Sequence, residues 1–306
     1  MEQLKIDNLS VKYRYSALAV SNLSFSVNRG DVAILLGENE AGKTTALKCI
    51  AGLQRQIHGN IIINDTLANN LSVKDRNICY IYEKEGFFEN KTAQYNLRYP
   101  LKRRKINDVE IDERMNKALK CVEFPNERLN IKVKQLNNDE RVKLSFARAF
   151  LRDAEVYLID NPLNVLDGEK RRELYPIFKK LIDDLGKKSC AVYATNVAEE
   201  CIDTDSEIIF LNYGITIQKG KIDEIKSLPK SLTAVKYFSE GYNIEKVHPQ
   251  ADETDIYIEI NGEKRILKRY NLISEIFIGK ECYCINYINN RILLYDFSSE
   301  NLIYYE

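Results

Sequence analysis

Eight residues, Gly37-Glu38-Asn39-Glu40-Ala41-Gly42-Lys43-Thr44, follow the apolar run Val32 to Leu36 and lead directly into the helix-like stretch Thr45 to Ile50. Two glycines at this spacing let the backbone turn so that successive N–H groups point inward at an anion, at the positive end of the following helix. Strand, glycine loop and helix in this order constrain the fold more than any other feature: they demand an α/β architecture.

Chemistry follows from the residue types. Lys43 is placed to reach the β- and γ-phosphates of a nucleotide, with Gly37, Glu38, Asn39, Glu40, Ala41, Gly42, Thr44 and Thr45 completing the cradle. A second apolar run, Val156-Tyr157-Leu158-Ile159, ends in Asp160 and reads as a buried parallel strand that carries a carboxylate to its tip. The Thr44 hydroxyl and Asp160 would hold Mg²⁺ between them, Asp160 through water. A chance match in a glycine-containing turn is the competing reading, and the flanking strand and helix argue against it. ATP and Mg²⁺ are the expected cofactors.

The chain has 306 residues, 44% hydrophobic and 29% charged, which suits a large core plus a smaller second domain. Forty-five basic residues balance forty-five acidic ones, so no basic excess argues for nucleic acid. The start, Met1 to Asp7, has no apolar signal core, and no stretch stays uncharged long enough to span a bilayer. Seven cysteines without metal-ligand spacing fit reduced thiols, and Cys282-x-Cys284 reads as packing on one face of a strand.

The organisation reads as an α/β nucleotide domain over residues 1–235 and a β-rich tail over 236–306. Short strands are expected around Leu4 to Ile6, Leu9 to Tyr13, Leu23 to Val27, Asn60 to Asn64 and Ile78 to Tyr82. A charged, helical subdomain is expected over residues 84–150. Core strands return at Val156 to Asp160, Cys190 to Thr195 and Ile208 to Leu211. Between the first two of these, Leu174, Ile177, Phe178, Leu181, Ile182 and Leu185 mark one helical face, in which Pro176 predicts a kink or break.

The sequence of phosphate loop, helical insertion, strand with Asp160 and then Leu166-Asp167 resembles the ATP-binding subunits of ABC transporters over residues 1–235. Lys74-Asp75-Arg76-Asn77-Ile78 and Leu47-Lys48-Cys49-Ile50-Ala51-Gly52-Leu53 look like the branch that powers maltose-type and other oligosaccharide importers. Leu293-Leu294-Tyr295-Asp296-Phe297 is similar to the closing strand of that branch's OB-like regulatory domain, although the tail here is shorter. The resemblance implies an α/β P-loop cassette of mixed sheet with helical and antiparallel subdomains, followed by a small OB-like β domain. It also implies integral membrane permease subunits and a second ATP-binding subunit, same or paralogous, as partners. The expected location is cytoplasmic and peripheral, on the inner face of the membrane.

Against this pattern the chain keeps Lys43, Thr44 and Asp160 but departs at nearly every other position that the family uses for hydrolysis. Asn161 stands at the catalytic glutamate position, and an amide can orient a water but cannot accept its proton. Asn196 stands at the switch-histidine position, and Glu83 replaces the glutamine that senses the γ-phosphate. The family signature Leu-Ser-Gly-Gly-Gln appears as Leu136-Asn137-Asn138-Asp139-Glu140, whose polar side chains can cap their own helix. Asp139 and Glu140 would set negative charge against a partner's phosphate. Glu40 occupies a position that is Gly in the family.

Each departure also has a plain structural reading: a satisfied core amide at Asn161, a helix cap at Asn196, a solvated residue at Glu83. Tyr13 resembles the aromatic that stacks on adenine or is simply packed. Asp167 matches a dimer-closing residue or caps the next helix. Taken together, the residues suggest an importer subunit that binds Mg-ATP and hydrolyses little. A slow but genuine transport ATPase and a regulatory protein on the same scaffold are the alternatives.

Overall fold

The computed structural model describes residues 1–14, 17–82, 86–187, 189–201, 205–238, 243–252, 255–260, 262–267, 278–286, 292–296 and 298–305. The chain divides into two compact units, Met1–Thr216 and Ile217–Glu306.

A mixed sheet organises the first unit, and its last strand, Ile215–Gly220, runs across the division at Thr216. Its strands are β1 (Glu2–Lys12), β2 (Leu18–Asn28), β3 (Val32–Leu36), β4 (His58–Ile63), β5 (Thr66–Leu67), β6 (Ile78–Ile81), β7 (Val156–Asp160), β8 (Cys190–Thr195), β9 (Glu207–Asn212) and β10 (Ile215–Gly220), ordered β5-β4-β1-β2-β10-β9-β3-β8-β7-β6. Strands β9, β3, β8, β7 and β6 are mutually parallel. Every residue of β7 and β8 is buried, which is why these strands read as unbroken apolar runs rather than alternating ones. β1 pairs antiparallel with β2 and β4. The two short strands expected at Leu4 and Leu9 are one strand: Asn8 takes φ 48 where the β1–β2 register shifts between Ile6 and Leu9, so a bulge absorbs the polar interruption.

Helices α1 (Lys43–Ile50), α2 (Ala93–Arg103), α3 (Asp108–Cys121), α4 (Asn138–Phe150) and α5 (Gly168–Gly186) complete this unit. α5 runs through Pro176 as a single helix, where a break was one of the two expected outcomes. Its apolar face is anchored by Leu174, Phe178 and Leu181, all buried, and Phe178 stacks on Phe146 of α4 with centroids 4.5 Å apart. Arg76, from the motif Lys74 to Ile78, is buried and donates from Nη1 to the carbonyls of Cys49 (3.0 Å) and Ile50 (2.7 Å). Both carbonyls lie at the C-terminal end of α1, where acceptors outnumber the helix's own donors, so the arginine fixes the helix that carries Lys43.

Register places the loops. Leu36 lies opposite Thr195, and Asp160 lies opposite Ala194. The residues that follow β3, β7 and β8 therefore leave the sheet side by side: Gly37, Asn161 and Asn196.

The second unit holds α6 (Ile222–Ser227), α7 (Leu232–Phe238) and two antiparallel sheets. One has the order β11 (Asn243–Val247), β15 (Cys282–Asn286), β16 (Ile292–Asp296), β17 (Leu302–Tyr305); the other joins β12 (Gln250–Ala251), β13 (Ile256–Ile260) and β14 (Glu263–Leu267). Cys282 and Cys284 pack with Ile258, Leu294 and Ile303, and burial pushes their thiols up to about 11 and about 12. Leu232 and Val235 of α7 share a cluster with Ile285, Leu293 and Tyr295, whose hydroxyl donates to the Pro229 carbonyl at 2.8 Å. That packing holds α7 within the second unit; the compact units part at Thr216, whereas the sequence reading divides the chain at residue 235. Among the described residues no helix is long and apolar enough to cross a membrane.

Candidate nucleotide site

The loop between β3 and α1 closes only with glycine at its two ends. A Cβ on Gly37 would stand 2.2 Å from the Leu211 carbonyl oxygen, and one on Gly42, which has φ +99, would stand 2.5 Å from that of Ala19. Glu40, by contrast, holds φ 66, a left-handed conformation that costs an L-residue about 1–2 kcal/mol. Ala19, Asn39, Glu40, Ala41, Gly42, Lys43, Thr44, Thr45, Asp160 and Asn161 enclose a cavity of about 350 Å³. Most of the sequence-assigned loop residues thus meet Asp160 and Asn161 in one place.

Within this cavity Lys43 is buried and donates from Nζ to the carbonyls of Gly37 (2.8 Å) and Glu38 (2.7 Å). The Thr44 hydroxyl donates to Asp160 Oδ1 at 2.9 Å, linking the start of α1 to the tip of β7. Asp160 is 4% exposed, and its other oxygen, Oδ2, accepts the Tyr80 hydroxyl at 2.8 Å. Burial, followed by the negative charge of Asp160, pushes the Tyr80 phenol far up, so it remains a donor. A hydroxyl and a carboxylate 2.9 Å apart beside a buried ammonium suit Mg²⁺ and a triphosphate. Tyr13 lies at the edge, half-exposed, with its hydroxyl 3.3 Å from Thr45 Oγ1.

Asn161 is 7% exposed and has φ 44, a conformation that asparagine tolerates better than most residues. Its N–H donates to the Ala194 carbonyl (2.9 Å), and its Oδ1 accepts from Arg171 Nη2 at 3.4 Å. Arg171 reaches from α5 and pairs through Nε with Glu200 Oε1 at 3.1 Å. The buried Glu200 carboxylate also accepts the hydroxyls of Tyr193 (2.6 Å) and Thr195, and Thr195 Oγ1 accepts the Val197 N–H (3.1 Å). Burial and then the Glu200 charge hold the Tyr193 phenol well above its usual range. One polar network therefore runs from Asn161 to the loop bearing Asn196. That loop touches the phosphate loop in turn, since Asn196 Nδ2 donates to Asn39 Oδ1 at 3.3 Å.

Leu136 to Glu140 begin α4, away from the lining of the cavity. Asn137 is the N-cap: its side chain accepts the Glu140 N–H (2.8 Å), and Glu140 Oε2 accepts the Asn137 N–H (2.9 Å), a closed capping box. Asn138 Nδ2 donates to the Val165 carbonyl at 2.9 Å, and Asp139 lies 3.9 Å from Lys170. Arg128 grips Glu140 with both branches, Nε to Oε1 at 2.6 Å and Nη2 to Oε2 at 3.0 Å. Burial alone would raise the Glu140 carboxyl, but Arg128 and the Asn137 N–H outweigh it and hold the group below the usual range. Asp167 caps α5, accepting the Lys170 N–H at 2.9 Å. Glu83 lies outside the described residues.

Sequence reasoning passes over Tyr80, Arg171 and Glu200. Tyr80 becomes visible once β6 is placed beside β7, with Tyr80 in register with Leu158 two residues short of Asp160. Glu200 sits four residues beyond Asn196, one helical turn, and that spacing was the available signal.

Residues 20–164 match the family described as ABC transporter. The sn-glycerol-3-phosphate import ATP-binding protein UgpC of Brucella abortus is 30% identical over 231 residues, 76% of this chain and 65% of that protein. The trehalose/maltose import ATP-binding protein MalK of Thermococcus litoralis is 33% identical over 217 residues, 69% of this chain and 58% of that protein. The chain thus spans somewhat under two thirds of the length of these relatives. Among solved structures, the dimeric post-hydrolysis state of the ATP-binding cassette MJ0796 bound to ADP and Pi superposes with a TM-score of 0.64 at 22% identity, covering 72% of this chain and 98% of that one.

Proposed function

Because this chain carries the ATP-binding domain of the ABC transporter family, we propose that it is the ATP-binding subunit of a solute importer, for sugars or a related solute, and that it binds Mg-ATP while hydrolysing it weakly or not at all. The observation that carries this reading is Asn161. It follows Asp160 in the cavity shared with Lys43 and Thr44, and its carbonyl is engaged by Arg171.

The residues sort by what they can do. Lys43 and the loop N–H groups would bind the phosphates, and Thr44 with Asp160 would hold the metal. When bound, Mg²⁺ neutralises charge between the phosphates. Asn161 can hold a water by hydrogen bonding but offers no group to take its proton, and general-base help of this kind is worth about 10²- to 10⁴-fold. Asn196 donates to Asn39 instead of carrying an imidazole to the same edge.

Partners follow from the same reading. Membrane permease subunits would meet the region around Glu83, Phe87 and Phe88, and a second ATP-binding subunit, same or paralogous, would complete a head-to-tail pair. With an intact paralogue, one composite site would take Asn161 and the other the self-capped signature. Both would be weakened. The complex would lie on the inner face of the membrane.

The test is ATP binding and phosphate release by the wild type beside Asn161→Glu/Asn196→His. The proposal expects wild-type binding that needs Lys43 and Mg²⁺, with turnover appearing only in the double variant. Wild-type turnover as fast as that of the double variant would defeat it.

A further inference from the structure

Side chains alternate along a strand, so residues two apart share a face of the sheet. Val156 and Leu158 of β7 pack into the core that Ala46, Leu47 and Ile50 of α1 complete, which puts Asp160 on the face that α1 covers. On the neighbouring β6, Ile78 belongs to the same core and Tyr80 packs against it. Tyr80 pairs with Leu158 in the parallel register, and this leaves it two residues, about 6.6 Å, short of Asp160. A phenol spans that gap with a donor at its tip, and the Tyr80 hydroxyl meets Asp160 Oδ2 at 2.8 Å.

The direction of each proton in this chain of contacts is fixed. An ionised carboxylate only accepts, so Tyr80 donates to Oδ2 while Thr44 donates to Oδ1 at 2.9 Å. The Thr44 proton is thereby committed to Asp160, and the lone pairs of its oxygen are left for a cation. A buried tyrosine needs a partner for its hydroxyl, and that need alone would account for the bond. The identity of the partner says more. Asp160 is almost wholly buried, and its two oxygens are held from two sides, by the start of α1 and by β6. Without the phenol, Oδ2 loses this donor away from solvent, and the carboxylate turns to recover one, which pulls Oδ1 off Thr44.

We infer that Tyr80 is a positioning residue for the divalent cation: acting through Asp160, and without lining the nucleotide cavity, its hydroxyl aligns the Thr44–Asp160 pair and is required for full metal affinity. The inference rests on the reading of Thr44 and Asp160 as the pair that holds the metal. Hydrogen bonds to the ligating groups of a metal site typically carry about 10- to 100-fold in affinity. Lys43 is held separately, by the carbonyls of Gly37 and Glu38, so the loss of the phenol falls on the metal and spares the phosphate contacts.

The experiment uses the full-length protein, with Mn²⁺ as the metal probe and a β,γ-imido analogue of ATP as the nucleotide. Electron paramagnetic resonance of free Mn²⁺ gives the metal affinity of the nucleotide complex, and titration of a fluorescent ATP analogue in EDTA gives the metal-free nucleotide affinity. Tyr80→Phe weakens Mn²⁺ binding about tenfold or more and leaves metal-free nucleotide affinity within about twofold of wild type, with thermal melting to verify its fold. In an Asp160→Asn background there is no carboxylate to position, and Tyr80→Phe has no further effect, so the two changes are non-additive. Equal Mn²⁺ affinity with and without the hydroxyl overturns the inference. So does a parallel loss of metal-free nucleotide binding, or an effect undiminished in the Asp160→Asn background, since either marks general damage to the fold. A wild type that binds the analogue in EDTA no better than Lys43→Ala defeats the reading of the site itself, and the metal-free titration tells that failure apart.

Discussion

Truncating Asn137 tests the claim that the signature segment has become a self-capped helix. In the folded protein the Asn137 side chain accepts the Glu140 N–H at 2.8 Å, one of the donors that α4 leaves unpaired. Asn137→Ala removes that acceptor and is expected to cost about 1 kcal/mol, within a range of about 0.5–2. Asn137→Ser, which restores the family residue, retains an oxygen of suitable reach and is expected to be near neutral. For a unit the size of Met1–Thr216, 1 kcal/mol corresponds to a fall of about 2–4 °C in Tm. Urea denaturation checks this, with the midpoint moving and the slope unchanged.

The reciprocal half of the box adds a pH signature. Glu140 is held below its unfolded value, so its contribution is fully present above about pH 4.3 and is lost as pH falls through the lower folded value. Glu140→Gln flattens that acid limb. Equal stability of the Ala and wild-type proteins, or equal losses for Ala and Ser, would refute the capping account.

Other consequences are as direct. Gly42→Ala places a Cβ 2.5 Å from the Ala19 oxygen at φ +99 and is expected to cost about 2 kcal/mol or more and to abolish nucleotide binding, read by denaturation and by fluorescent-nucleotide titration. Glu40→Gly relieves the φ 66 strain, stabilising by up to about 1 kcal/mol, and tightens nucleotide binding by removing a carboxylate from the cavity. Tyr80 and Tyr193 have phenols raised in the folded state, so stability holds below about pH 10 and declines above it as the unfolded phenols ionise; Tyr80→Phe and Tyr193→Phe each make that alkaline decline shallower in melting curves.

How much of this could be read from the chain depended on whether the signal was local. β7 and β8 have the expected bounds because both are parallel strands buried along their whole length, and Asn161 and Asn196 end their apolar runs. The phosphate loop was equally legible, since Gly37 and Gly42 meet steric limits that no other residue satisfies. Contacts between distant segments were not. Tyr80 to Asp160 needs the register of β6 on β7, and Asn161 to Arg171 to Glu200 needs α5 packed across two strand ends. The continuous β1 was hidden by Asn8, whose left-handed turn lets a polar pair ride inside a strand.

The central claim is that a triphosphate cradle survives beside a residue unable to take a proton. Single-turnover phosphate release, measured on purified wild type with saturating Mg-ATP and on Asn161→Glu, tests it most directly. Arg171, 3.4 Å from the present amide oxygen, favours the ionised form of the new carboxylate. The account predicts Mg-ATP binding with release near the uncatalysed rate in wild type and an increase of about a hundredfold or more in the variant. Fast release by wild type, lost on Lys43→Ala but unchanged by Asn161→Glu, would contradict it.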